Sequence, residues 1–141
     1  MKLAIITGAS RGIGRSAAKA FAKEGYSLLL NCEKNIDLLE ELKSEIEEEL
    51  QRFEISKEKD GSKNGFSHSL EITLKKGNFT SPFLESYFHA KEAEQAEIEE
   101  LVLVMNQGKS TLNLTQDYTA DETDSLIQAN LLEPFHLAQR M

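Results

Sequence analysis

The feature that most constrains the fold is a glycine-rich segment at residues 7–14, which reads Thr-Gly-Ala-Ser-Arg-Gly-Ile-Gly. It overlaps the end of a short apolar run at 3–7, typical of a buried strand, and opens a helical stripe that stops at Gly25. Glycine is required where φ is positive or where backbone approaches a phosphate closely, and a helix amino terminus offers free N–H groups to an anion. The strand–loop–helix order therefore predicts a dinucleotide-binding unit; the alternative is a glycine-rich turn without a ligand.

The rest of the sequence alternates between strand and helix patterns. Apolar runs predict three further strands, at 27–31, 70–74 and 101–105. Helical periodicity and caps predict four helices, at 12–24, 36–50, 81–98 and 119–141, the last kinked by Pro134. A Lys-, Ser- and Gly-rich stretch at about 56–67 predicts a flexible loop inside a single domain of residues 1–141. Alternating strands and helices predict an α/β fold, a Rossmann-like doubly wound parallel sheet truncated to about four strands in the order 3-2-1-4.

Caps and apolar faces refine this prediction. Ser81 is the expected N-cap of the third helix, with Pro82 in its first turn. The second helix should bury Leu39, Leu42, Ile46 and Leu50, and the apolar positions of the last helix are Leu126, Ile127, Leu131, Phe135 and Ala138. The fourth strand would expose an apolar edge, because it lacks its usual neighbour in such a sheet.

Charge and composition narrow the partners. The formal net charge of -8 argues against nonspecific binding to nucleic acid or to an anionic membrane, and no apolar run approaches the ~18 residues of a membrane span. Residues 1–32 nevertheless carry five basic side chains against Glu24 alone, so an anion is expected at this end. The absence of a signal-peptide pattern and the single cysteine, Cys32, predict a cytoplasmic protein, and the three histidines lack metal-ligand spacing.

The spacing Gly-x-x-x-Gly-x-Gly resembles that of the short-chain dehydrogenase/reductase family, close to its 3-oxoacyl-[acyl-carrier-protein] reductase branch. Residues 1–50 match closely and residues 98–141 more loosely, with Asn106 and Gly108 keeping two positions of the family's Asn-Asn-Ala-Gly. The resemblance implies reduction of a small-molecule carbonyl by hydride transfer from NADPH. It implies cofactor binding by Thr7, Gly8, Ser10, Arg11, Gly12, Ile13, Gly14, Lys34, Asn106 and Gly108. The segment 130–135 resembles the family helix that carries a catalytic asparagine, which implies that Asn130 helps to hold a water in a proton relay.

The catalytic set of the family is incomplete in this sequence. The family's Ser and Tyr-x-x-x-Lys are expected beyond Met141, and residues 53–97 are hard to align. Tyr87 and Lys91 have the Tyr-x-x-x-Lys spacing but precede the strand that leads to Asn106, so we interpret them as an ordinary helix face. The alternative function is therefore a truncated or diverged dinucleotide-binding module without turnover.

The choice of cofactor depends on the end of the second strand. Cys32 lies about where NAD-preferring relatives place an aspartate, and Arg11 and Lys34 are available for a 2′-phosphate, although Glu33 opposes it. We expect NADP, with NAD as the alternative. Because the fourth strand and the last helix would lack part of their cover, we expect either a marginally stable monomer or a homo-oligomer formed through the C-terminal helix, which is an oligomer surface in the family.

Overall fold

The computed structural model of the protein describes residues 1–60, 70–110 and 115–141; for 54–60 and 115 it describes only the backbone. The strands are β1 (Lys2–Ile6), β2 (Ser27–Cys32), β3 (Ile72–Lys76) and β4 (Glu100–Val104). The α-helices are α1 (Gly12–Lys23), α2 (Ile36–Asp60), α3 (Ser81–Ala93), α4 (Ala120–Ile127) and α5 (Glu133–Ala138). A 3-10 turn (Thr115–Asp117) precedes α4, and a π-helical turn (Gln128–Leu132) joins α4 to α5. The sheet is parallel in the order β3-β2-β1-β4, which confirms the predicted fold and strand order.

Strand β1 lies at the centre of the sheet and is buried on both faces. Leu3 pairs with Ser27 of β2 on one side and with Leu101 of β4 on the other. The four residues from Leu3 to Ile6 are fully buried, which explains why this strand is a continuous apolar run rather than an alternating one. Burying each of the leucine and isoleucine side chains contributes roughly 1.5–3 kcal/mol, so the site that follows β1 is anchored to the core.

Each face of the sheet is covered by different helices. Helices α1 and α2 cover the face that contains Ala4, Ile6, Leu28, Leu30 and Ile72. Helix α3 and the single buried side chain of α5, Leu137, cover the face that contains Leu3, Ile5 and Leu29. The carboxyl ends of all four strands consequently meet at one edge, where the loops that follow them converge.

Helix α2 is longer than predicted. Its expected apolar face is confirmed, since Leu39, Leu42 and Ile46 are buried, but the helix continues ten residues beyond Leu50. The predicted loop was therefore wrong for 56–60, and its remainder, 61–67, lies outside the described residues. The lysines and glutamates of this stretch are good helix formers, and they extend a helix that already has a buried face.

The acidic face of α2 is paired with α1. Glu45 lies 2.7 Å from Arg15 and 2.8 Å from Lys19, measured between the charged atoms. Glu49 lies 3.0 Å from Lys19 and 3.1 Å from Lys23. These contacts link α1 to α2, and they pair the three basic side chains of α1, which are Arg15, Lys19 and Lys23.

Helix α3 differs from the prediction at both ends. Thr80, not Ser81, is the N-cap residue, and its side chain makes no capping bond. The helix stops at Ala93 rather than near residue 98, because Gln95 has a left-handed φ of 56°. The Gln95 N–H donates to Glu92 O and the Ala96 N–H to Lys91 O, which is the bond pattern of a Schellman C-cap.

The last helix is interrupted. The predicted capping box is confirmed, since Thr119 Oγ1 accepts from the Glu122 N–H and the Glu122 carboxylate accepts from the Thr119 N–H. The π-helical turn lies just before Pro134, whose ring cannot donate to the carbonyl four residues earlier. The expected apolar face is largely exposed: Leu131 is 61% and Phe135 57% accessible. No helix of the described residues is long and apolar enough to cross a bilayer.

Candidate dinucleotide site

The site begins at Thr7, the first residue after β1. Its side chain is buried, and its Oγ1 accepts the N–H groups of Asn106 at 2.9 Å and Gln107 at 3.0 Å. The Thr7 N–H donates to Val104 O at 2.9 Å. A single hydroxyl therefore ties the glycine-rich loop to the segment after β4, so the two predicted parts of the site are in contact.

The next residue, Gly8, has both of its backbone polar groups bound by side-chain amides. Its N–H donates to Asn31 Oδ1 at 2.9 Å, and its carbonyl accepts from Asn106 Nδ2 at 3.1 Å. Gly8 has a left-handed φ of +64°, which a residue with a side chain adopts at a cost. The loop is consequently locked in an orientation that only glycine reaches without strain.

The three glycines of the motif have different surroundings. A Cβ on Gly14 would lie 2.5 Å from Gly8 O and 2.6 Å from Asn106 Nδ2, so only glycine lets α1 approach the loop this closely. Gly12 has a φ of +53°, and a Cβ there would meet nothing within 4 Å. Arg11, the N-cap residue, makes no side-chain cap, and the first turn of α1 contains no acidic residue. The N–H groups of this turn have no intrahelical partner and are available to an anion.

A cleft of about 520 Å³ opens in front of this turn. One wall comes from the loop and the end of β2, and the other from the segment after β4 and the π-helical turn. Of the predicted binding residues, it is lined by Gly8, Ser10, Arg11, Lys34, Asn106 and Gly108. This volume is within the range of small-molecule and cofactor sites.

The charges at the β2 side of the cleft are uneven. Arg11, Glu33 and Lys34 are exposed there, whereas Cys32 is buried. Burial raises the pKa of the Cys32 thiol, so this position is neutral at physiological pH. Two cations thus face one carboxylate at the place where the sequence predicts a 2′-phosphate.

Asn130 lies beside the cleft, on the π-helical turn. Its Oδ1 accepts the Lys109 N–H, its Nδ2 donates to the Lys109 carbonyl, and both distances are 2.7 Å. The side-chain amide therefore holds the loop after Gly108 against the turn. Four other predicted binding residues, Thr7, Gly12, Ile13 and Gly14, lie outside the cleft lining, and Ile13 is 78% exposed at the start of α1.

Tyr87 and Lys91 lie at the opposite edge of the sheet. Tyr87 is buried in the core under α3, and the Lys91 ammonium contacts the carboxylates of Glu71 and Glu94. Burial lowers the pKa of Lys91, but the hydrogen bonds to Glu71 and Glu94 outweigh it and hold the pKa above its ordinary value. Since Glu71 precedes β3, this cluster is at the amino ends of the strands, away from the glycine-rich loop.

Two contacts of the site were missed in the sequence analysis. Asn31 is 1% exposed at the end of β2, where it binds both Gly8 and, through Nδ2, the carbonyl of Gly77 at 2.9 Å. A polar side chain directly after three buried leucines is a usable signal, because a buried amide must find partners. Gln107 Nε2 donates to Glu133 at 2.7 Å across the cleft floor, and no local pattern foretells this contact.

Known proteins share sequence with this chain over part or nearly all of its length. Residues 2–63 match the short chain dehydrogenase family. The chain is 30% identical over 143 aligned positions to the 3-oxoacyl-[acyl-carrier-protein] reductase FabG of Staphylococcus epidermidis, covering 99% of this chain and 49% of the relative. It is 29% identical to the 7alpha-hydroxysteroid dehydrogenase of Clostridium sardiniense, covering 90% of this chain and 40% of that protein.

Solved structures share the fold of this chain. An alcohol dehydrogenase from the archaeon Thermococcus sibiricus, complexed with 5-hydroxy-NADP, superposes with a TM-score of 0.66 at 25% identity, covering 99% of this chain and 51% of that one. A ketone-specific alcohol dehydrogenase from Comamonas testosteroni shares the fold with a TM-score of 0.69 at 23% identity, covering 99% and 48%. The chain spans about half the length of the curated relatives it matches.

Proposed function

We propose that this chain, which belongs to the short-chain dehydrogenase/reductase family, binds a nicotinamide dinucleotide in the glycine-rich cleft as part of an oxidoreductase that reduces a small-molecule carbonyl. The observation that carries the proposal is the packing of Gly14 against Gly8 and Asn106. It presses the uncapped end of α1 against the cleft, and it leaves open space at Gly12, where a pyrophosphate would be held by backbone N–H groups.

We propose NADP rather than NAD as the preferred cofactor. Arg11 and Lys34 would hold a 2′-phosphate at the end of β2, and the neutral Cys32 thiol offers no carboxylate to a ribose hydroxyl. The complex of the archaeal alcohol dehydrogenase with an NADP analogue supports this choice. Glu33 reduces the preference without removing it, because two cations oppose one anion.

The chemistry that the cofactor supplies when bound is a hydride for the substrate carbonyl. In this reaction, Arg11, Lys34 and the first turn of α1 would bind the cofactor and orient it. Asn130 holds the loop after β4, and its place beside the cleft fits the family role of holding a water in a proton relay.

Binding without turnover by these 141 residues is the second candidate function. The observation that favours it is the position of Tyr87 and Lys91, the chain's only Tyr-x-x-x-Lys pair, in a core and ion-pair cluster at the far edge of the sheet. In the reaction of the family, a tyrosine of this pattern gives the proton. An assay of carbonyl-dependent NADPH oxidation separates the two candidates once binding is established.

The binding experiment compares two variants of one position. Gly12→Asp places a carboxylate where the phosphates would lie, and Gly12→Asn has nearly the same shape without the charge. Both residue types tolerate a positive φ better than other side chains do, and the space around the Cβ is open. Titration monitored by NADPH fluorescence should show saturable binding to the wild type, weaker binding to Gly12→Asn, and at least tenfold weaker binding again to Gly12→Asp. Equal affinities for the two variants would contradict a phosphate at this position.

Cofactor preference is measured in the same titration. The wild type should bind NADPH more tightly than NADH. Lys34→Gln should raise the Kd for NADPH alone and so reduce the ratio of the Kd for NADH to the Kd for NADPH. Lys43→Gln, on α2 and outside the cleft lining, is the matched control for loss of one positive charge. A Lys34→Gln variant that weakens NADH and NADPH equally would rule out a 2′-phosphate contact.

A further inference from the structure

The residue at issue is Asn31, a buried amide that lines no part of the cleft. Strand β2 is buried along its whole length, and Asn31 follows Leu28, Leu29 and Leu30 in it. An unpaired amide at such a position would be costly, and both ends of this one are bonded. Its orientation is fixed by the backbone, because only Oδ1 can accept from the Gly8 N–H and only Nδ2 can donate to the Gly77 carbonyl.

The two backbone groups that Asn31 joins belong to different segments beside the site. Gly8 is in the glycine-rich loop after β1, and Gly77 is in the turn after β3, next to Asn78 of the cleft lining. Both glycines have left-handed φ values, +64° and +82°. The Asn31 carbonyl also accepts the Ala9 N–H at 2.9 Å, so one residue contacts the loop twice.

We infer that Asn31 is a positioning residue for the dinucleotide: it acts through Gly8 and Gly77 to hold the glycine-rich loop at a fixed distance from the turn after β3. This inference rests on the proposed function. Side-chain amides bind both backbone polar groups of Gly8, and Asn106 alone would fix only its carbonyl. Without the Asn31 side chain, the Gly8 N–H and the Gly77 carbonyl lose these partners, and only the backbone bonds from Ala9 to Asn31 and from Gly77 to Cys32 still tie the loop and the turn to β2.

The test uses Asn31→Asp and its pH profile. The ionised carboxylate of this variant accepts from Gly8 but cannot donate to Gly77, whereas the protonated carboxyl can do both and has nearly the same shape as the amide. Burial raises the pKa of such a carboxyl, so protonation falls within an accessible pH range. Calorimetric titration with NADP⁺, which withstands acid, should give a Kd about tenfold above that of the wild type at pH 8, and a ratio that falls towards one by pH 5.5.

The wild type at each pH corrects for ionisation of the ligand and of the groups around position 31. These groups are Lys75, which is the register partner of Asn31 on β3, together with Cys32, Glu33, Lys34 and Lys76. Ile46→Val, which removes one methylene from the core under α2, is the stability control: it should lower Tm and leave the Kd unchanged. A purely structural role for Asn31 would behave like this control, with no effect of pH on the Kd ratio.

The outcomes separate the inference from the proposed function. An Asn31→Asp variant that binds like the wild type at pH 8, or a weakened Kd whose ratio stays constant with pH, overturns the inference while cofactor binding stands. A wild type that shows no saturable binding overturns the proposed function and the inference with it. If Asn31→Asp does not fold, Asn31→Ser is used at pH 8, since its short hydroxyl cannot bridge both glycines. Wild-type affinity of Asn31→Ser would then overturn the inference.

Discussion

Gly14→Ala tests whether α1 approaches the loop as closely as described. A helix interior normally gains about 1 kcal/mol when glycine is replaced by alanine. Here the new Cβ would lie 2.5 Å from Gly8 O and 2.6 Å from Asn106 Nδ2, and the first of these is backbone that cannot rotate away. Overpacking of this kind costs about 1–3 kcal/mol, and the loss of the Asn106–Gly8 hydrogen bond adds about 1 kcal/mol. The packing terms outweigh the gain, so we expect a net destabilisation of about 1–3 kcal/mol.

The assay is urea unfolding at 25 °C followed by circular dichroism, with Ser16→Ala as the matched control. Ser16 is an exposed position of the same helix, so its replacement should stabilise the protein by a few tenths of a kcal/mol. The Gly14→Ala protein should also bind NADPH more weakly, because the Gly8 carbonyl has to move. A Gly14→Ala protein as stable as Ser16→Ala would refute the reasoning, since helix propensity would then have prevailed over a contact that the structure makes unavoidable.

Two further predictions concern residues outside the cleft. Lys91→Met should lower the free energy of unfolding by about 1–2 kcal/mol. This loss is smaller than for a fully buried ion pair, because Glu71 and Glu94 are half exposed. The Kd for NADPH should not change, and a large change in that Kd would place Lys91 in the dinucleotide site. The hydrogen bond from Lys19 lowers the pKa of Glu45, so its carboxylate stabilises the fold above its ordinary pKa of 4.5 and stops doing so as the pH falls through the lowered value. Glu45→Gln should therefore lower Tm at pH 7 and approach the wild-type Tm below pH 4.5, and a Tm difference that is constant with pH would contradict the ion pairing.

The fold could be predicted because its signals are local and repeated. The apolar run around Leu3, the glycine-rich loop and the amphipathic stripe of α2 are each strong local signals. The order of elements then leaves a handful of sheet topologies, of which the doubly wound dinucleotide-binding sheet has the observed strand order. The errors fall where local signals compete. Residues 56–60 combine helix-forming and turn-forming side chains, and the left-handed conformation of Gln95 ends α3 earlier than the periodicity suggests.

The site was predictable in its backbone and less so in its cross-links. The glycines and Asn106 follow from the motif and its context, whereas the bonds from Asn31 to Gly8 and Gly77 join residues 23 and 46 positions apart. Such contacts depend on the register of β1, β2 and β3, which a single sequence does not specify. A buried polar residue at a strand end indicates that partners exist, but not which ones.

The central position of β1 has a consequence for the order of folding. The strand pairs with β2, about 24 residues away, and with β4, about 98 residues away, so its two edges are completed at different stages. Closing the longer loop costs more chain entropy and is expected to come late. The Thr7 hydroxyl meets the Asn106 and Gln107 amides only once β4 has paired with β1, so we expect the glycine-rich loop to be completed at that late stage. Binding of a dinucleotide should therefore lower the rate of unfolding and leave the rate of folding unchanged.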